Sequence, residues 1–83
     1  MDQLGRTAAQ LGAIVRRQRR RRGLSQGALG SKVQFRQATI SNLEAGEPRT
    51  QLRTLLDVLA ALDLEIVVRP RTKGSTAEIE NLF

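Results

Sequence analysis

Cysteine and histidine are absent from this 83-residue chain, and so are tryptophan and tyrosine. Without cysteine no disulfide can staple the fold, and without either residue the usual structural zinc ligands and histidine acid/base chemistry are missing. Stability must come from packing, and at this length one small domain with a modest core is expected. Phe35 and Phe83 are the only aromatic residues, too few for a single-strand or RNA binder that stacks bases on aromatic rings. No apolar run approaches the roughly 20 residues that cross a bilayer, and the first residues lack the apolar core of a secretory signal, so the expected location is the cytoplasm.

Acidic residues are also scarce: 8 Asp and Glu stand against 14 Lys and Arg, a net charge of +6. That balance favours a polyanionic partner, nucleic acid ahead of a membrane surface. A membrane role is further disfavoured because the arginine-rich segment carries no bulky interfacial residues. The carboxylates Glu44, Glu47, Asp57, Asp63 and Glu65 are scattered, with no paired site, phosphate loop or nucleophile motif around them. The expectation is a protein that is not an enzyme, with no cofactor, no metal and no small-molecule substrate.

What is present reads as short helices divided by glycine. Leu11, Ile14 and Val15 recur at helical spacing in a first helix from about Thr7 to Arg22, with arginines crowding its C-terminal half and Gly23 ending it. Ser25 is a good N-cap for a short second helix through Leu29 to Val33. Gly27 and Gly30 each lower its helicity by about 1 kcal/mol relative to alanine, and for Gly30 close approach of another helix is the expected reason. A third helix runs from about Gln37 to Ala45 and stops at Gly46. Thr50 is placed to cap a fourth, reaching about Asp63 with Leu52, Leu55, Leu56, Leu59 and Leu62 at helical intervals.

The texture then changes to LEIVVR, residues 64–69, a β-branched run bounded by Pro70. A lone strand leaves its backbone unpaired, so Glu65, Ile66, Val67 and Val68 are expected to pair with the same strand of a second subunit. The remainder, TKGSTAEIENLF, reads as a flexible tail whose apolar Ile79, Leu82 and Phe83 form either an inert end or a docking motif. The expected organisation is an N-terminal arm at 1–6, a domain at 7–70 and a tail at 71–83.

Two short helices joined by a tight turn have the layout of a helix-turn-helix. The run LSQGALGSKVQFRQATISNLEAG, residues 24–46, resembles the Xre and phage-repressor family at Gln26, Gly30, Thr39, Ile40, Ser41, Leu43, Glu44 and Gly46. Two positions depart from that pattern. Gln34 stands where the turn glycine is usual, so a non-glycine residue must turn left-handed or the turn must differ. Arg36 stands where a Ser or Thr cap is usual, a loss of about 1 kcal/mol, and a cation there is opposed by the helix dipole.

The resemblance implies an all-α, lambda-repressor-like bundle of four to five helices plus the short strand pairing across a dimer. It also implies site roles. Arg36, Gln37, Ala38, Ser41 and Asn42 would face base edges in the major groove, while Gln26, Thr39, Arg49 and Thr50 would bind phosphate. Arg19 would pair with Glu44, tying the first helix to the end of the recognition helix. The segment TQLRTLLDVLAALDLEIVVRPR and the chain's short length are similar to HipB-type antitoxins. That similarity implies a bacterial, nucleoid-associated homodimer that binds operator DNA, represses its own operon and neutralises a HipA-type serine/threonine kinase toxin. The alternatives are a repressor without a toxin, or an interaction module that no longer reads DNA. The remaining arginines of RRQRRRR, residues 16–22, would meet phosphate or an acidic protein.

Overall fold

The computed structural model describes residues 2–71, which form four helices: α1 (Ala8–Arg21), α2 (Gln26–Val33), α3 (Gln37–Glu44) and α4 (Leu52–Ala61). The starts of α1 and α2 follow from side-chain caps. Thr7 Oγ1 accepts from the Gln10 N–H at 3.0 Å, and Ser25 Oγ accepts from the Ala28 N–H at 3.0 Å. Each satisfies one of the donors that a helix N-terminus leaves open. The other two helices start without such help, since neither Arg36 nor Gln51 makes a side-chain cap.

The fourth helix corrects the expected start. Gln51, not Thr50, is its N-cap, because the Thr50 N–H closes a turn onto the Glu47 carbonyl at 3.2 Å and holds Thr50 outside the helix. Its end, expected near Asp63, comes at Ala61.

All four helices stop in the same way. A residue one or two positions past each helix turns left-handed: Gly23 (φ 69°), Gln34 (φ 60°), Gly46 (φ 87°) and Asp63 (φ 56°). The next N–H then folds back onto the last turn, as in Leu24 to Arg19 O (3.1 Å), Phe35 to Gly30 O (2.8 Å), Glu47 to Asn42 O (3.0 Å) and Leu64 to Leu59 O (2.8 Å). These are Schellman stops, which satisfy carbonyls the helix can no longer serve. Three of them place an apolar residue, Leu24, Phe35 or Leu64, against the core directly after the turn. Gly30, expected to admit another helix, instead admits this turn: a Cβ there would lie 2.6 Å from the Phe35 carbonyl oxygen.

The core is Val15 from α1, Leu29 from α2, Ile40 and Leu43 from α3, and Leu55, Val58, Leu59 and Leu62 from α4 and its cap. Of the leucine stripe expected on α4, Leu52 and Leu56 point outward, 65% and 44% exposed. Val58, fully buried, takes the central place instead. Helix α1 lies against the end of α3 through two backbone contacts. A Cβ on Gly12 would sit 2.5 Å from the Leu43 carbonyl oxygen, and one on Gly46 would sit 2.8 Å from Ala9 Cα.

Residues 64–71 form no regular element and are mostly exposed, with no strand partner among the described residues. The expected strand is therefore not seen in the single chain, because a strand needs a neighbour to bond. Among the described residues no helix is long and apolar enough to cross a membrane.

Candidate nucleic-acid interface

Helix α3 divides sharply by side. Ile40, Leu43 and Glu44 are buried, whereas Arg36, Gln37, Ala38, Ser41 and Asn42 are exposed. The division follows from spacing: 37, 41 and 38, 42 are successive turns of one face, while 40, 43 and 44 lie on the other. The surface side carries guanidinium, amide and hydroxyl groups with no intramolecular hydrogen bond to Gln37 or Ser41 side chains among those resolved. Thr39, at the margin, is half-buried.

The turn that aims α3 is fixed by Gln34 in its left-handed conformation (φ 60°, ψ 38°). A left-handed backbone costs a non-glycine residue about 1–2 kcal/mol. The lack of a cap at Arg36 is also observed, with its backbone extended (φ −70°, ψ 153°) and its side chain in solvent. Helix α2 comes close beside α3 at the same end. A Cβ added at Gly27 would lie 4.0 Å from Gln37 Oε1, at ordinary van der Waals contact.

Behind this face sits a buried polar group. The Arg19 Nε donates to Glu44 Oε2 at 2.6 Å and its Nη2 donates to Glu44 Oε1 at 3.0 Å, a two-pronged pair. A third donor, Arg19 Nη1, reaches the Leu24 carbonyl at 2.8 Å. Arg19 is 7% exposed and Glu44 9%. The hydrogen bonds Arg19 donates to Glu44 raise the Arg19 pKa above its already high ordinary value, outweighing the lowering by burial, so the charge is permanent. Gln26 joins the group, its Nε2 donating to Glu44 Oε1 at 3.2 Å. One carboxylate thereby gathers α1, the start of α2 and the end of α3.

Gln26, expected at phosphate, is thus also bonded to Glu44, and an amide has donors and acceptors enough for both. Arg49 is extended into solvent, 93% exposed along its side chain, with Nε 3.5 Å from Glu47 Oε1. Thr50 lies half-buried in the same turn. The apolar Ile79, Leu82 and Phe83 lie outside the described residues. No cluster of potential metal ligands occurs among the described residues.

The helix pair with its turn, an outward polar α3 and a carboxylate locking it from behind agrees with the family model of a helix-turn-helix domain, which matches residues 10–71. The chain belongs to the helix-turn-helix family. Within it the protein is Xre-type and HipB-like. Superposition on a HipB point variant in complex with an O2 20mer gives a TM-score of 0.80 at 29% identity, covering 87% of this chain and 100% of that one. HipB in complex with an O4 20mer gives 0.79 at 30% identity, covering 86% and 100%. HipB in a HipA-HipB-O2-O3 complex gives 0.78 at 30% identity, covering 86% and 100%. No curated protein matches this helix-turn-helix chain in sequence.

Proposed function

We propose that the protein is a sequence-specific, double-stranded-DNA-binding antitoxin that represses its own operon and holds a HipA-type serine/threonine kinase toxin inactive. The observation that carries the DNA reading is the concentration of Arg36, Gln37, Ala38, Ser41 and Asn42 on the solvent side of α3, on a helix whose other side is locked into the core. Set N-terminus first in the major groove, such a helix offers Arg36 to guanine O6 and N7, Gln37 to adenine N6 and N7, and Ala38 to a thymine methyl. Ser41 and Asn42 read from the next turn. Gln26, Thr39, Arg49 and Thr50 hold phosphates on either side. The solved complexes of HipB with O2 and O4 20mers support this reading.

Glu65, Ile66, Val67 and Val68 pair with the same segment of a second chain, and the domain of residues 7–70 acts as that dimer. HipB's assembly with HipA supports the toxin partner, with Ile79, Leu82 and Phe83 as a docking motif in the tail. Duplexes selected by the protein from a randomised pool test the base-reading role. Gln37→Ala should lose about 1–3 kcal/mol at one base position and leave the others unchanged. An equal loss on every sequence would remove Gln37 from base reading. Co-purification of a kinase with the tagged protein from its own host separates an antitoxin from a repressor that works alone.

A further inference from the structure

The arginine run of α1 is absorbed only in part by the contacts above. Arg19 is buried with Glu44, Arg22 Nη1 donates to Asp63 Oδ2 at 2.8 Å, and Arg17 Nη2 donates to Gln3 Oε1 at 2.6 Å. Arg16, Arg20 and Arg21 are exposed and have no ion pair among the described residues. The helix dipole rewards cations in the last turn, which accounts for Arg20 and Arg21 but not for Arg16. Like charges four residues apart, as at 16 and 20, weaken a helix, so local stability gives no reason for the row.

Position supplies one. Gly12, Arg16 and Arg20 form a single row of α1 at four-residue spacing. The row starts where Gly12 meets the Leu43 and Glu44 carbonyls and climbs toward the turn that opens α2. Arg20 directly follows Arg19, whose partner Glu44 is also held by Gln26. The row therefore borders the side of α1 that meets the end of α3, where Glu44 also holds the start of α2. Its surroundings are alanine and arginine, with none of the apolar or aromatic anchors on which protein interfaces centre. A phosphate backbone needs no such anchor.

We infer that Arg16 and Arg20 form a second phosphate-binding strip, which extends the DNA contact from the helix-turn-helix along α1 onto the duplex flanking the bases that are read. This rests on the DNA reading of the preceding subsection. The strip adds affinity without sequence preference, since phosphates are alike at every base pair.

The test measures the dependence of log K on log[NaCl] for a duplex selected by the native protein from a randomised pool, with ten-base-pair flanks, and for a scrambled duplex of equal length. For R16Q/R20Q the slope should flatten by about 1.8 per chain, about 0.9 for each lost phosphate contact, with the ratio of selected to scrambled affinity unchanged. R16K/R20K, which keeps the charge, should retain the native slope. R69Q/R71Q removes the same charge from the segment after α4, which lines a groove with Leu11 and Ile14 and no residue of α3, and should leave the slope close to native. An unaltered slope in R16Q/R20Q overturns the strip, as does an equal flattening in R69Q/R71Q, and in the first case the row is left to an acidic protein partner. If the native protein prefers no duplex at all, the DNA reading itself fails, a result distinct from either. Helix content by circular dichroism confirms that each variant folds.

Discussion

Glu44 receives donors from two side chains, and its removal would leave Arg19 buried with a charge and no carboxylate. Breaking such a pair costs about 3–5 kcal/mol, a large part of the stability of a domain this small. Glu44→Ala should accordingly lower the unfolding free energy measured by urea titration by that amount, whereas replacing both partners with apolar residues, Arg19→Met with Glu44→Leu, should cost far less. Equal losses in the two variants would mean that the pair is not where the stability lies. Arg36 makes the opposite bargain. Arg36→Ser should stabilise the fold by about 1 kcal/mol, because it restores a cap and removes a cation from a positive helix end. The same change should cost about 1–3 kcal/mol of discrimination at one guanine, read by titration against the selected duplex. Arg19 and Glu44 could be paired from the sequence only through a family pattern, and Gly12 drew no notice there. A glycine among alanines reads as a small loss of helicity. Its position seven residues before Arg19, on the same face, was the available sign that a backbone would press against it.

At the level of helices, the glycine punctuation made most of the architecture legible. Gly23 and Gly46 end α1 and α3 in the left-handed conformation that glycine tolerates best, and Ser25 caps α2 as its chemistry suggests. The start of α4 was misread because Thr50 has the right side chain, while its backbone is committed to the turn from Glu47. Periodicity likewise drew Leu52 and Leu56 inward with their neighbours, although a leucine stripe broader than the core can cover leaves some members in water. The departure at Gln34 was legible as a choice between two backbones, and the left-handed one is taken. It yields a direct expectation. Gln34→Gly should raise stability by about 1 kcal/mol, seen as a higher urea midpoint with an unchanged slope, since the φ of 60° then carries no Cβ penalty. A fall in midpoint would show that the Gln34 side chain contributes more than its backbone costs.

For the molecule as a whole, the segment after α4 is the part least explained by one chain. Ile66, Val67 and Val68 are 45%, 72% and 93% exposed, an apolar edge that monomeric proteins normally cover or interrupt with charge. Sedimentation equilibrium should give twice the chain mass for the native protein, and Ile66→Asp with Val68→Asp should return it to one chain. The same double variant should weaken binding to a two-half-site duplex far more than to a single half-site. A native protein of single-chain mass at micromolar concentration would remove the pairing. One further consequence follows from how α3 is divided. Its buried letters at 40, 43 and 44 serve the scaffold and its exposed letters at 37, 38, 41 and 42 serve the surface, while Arg36 stands at the cap between them. The exposed set is in effect a cartridge: on the DNA reading proposed above, exchanging 37, 38, 41 and 42 should rewrite the target while the body melts at nearly the same temperature, and only Arg36, at the cap position, should also move the melting point.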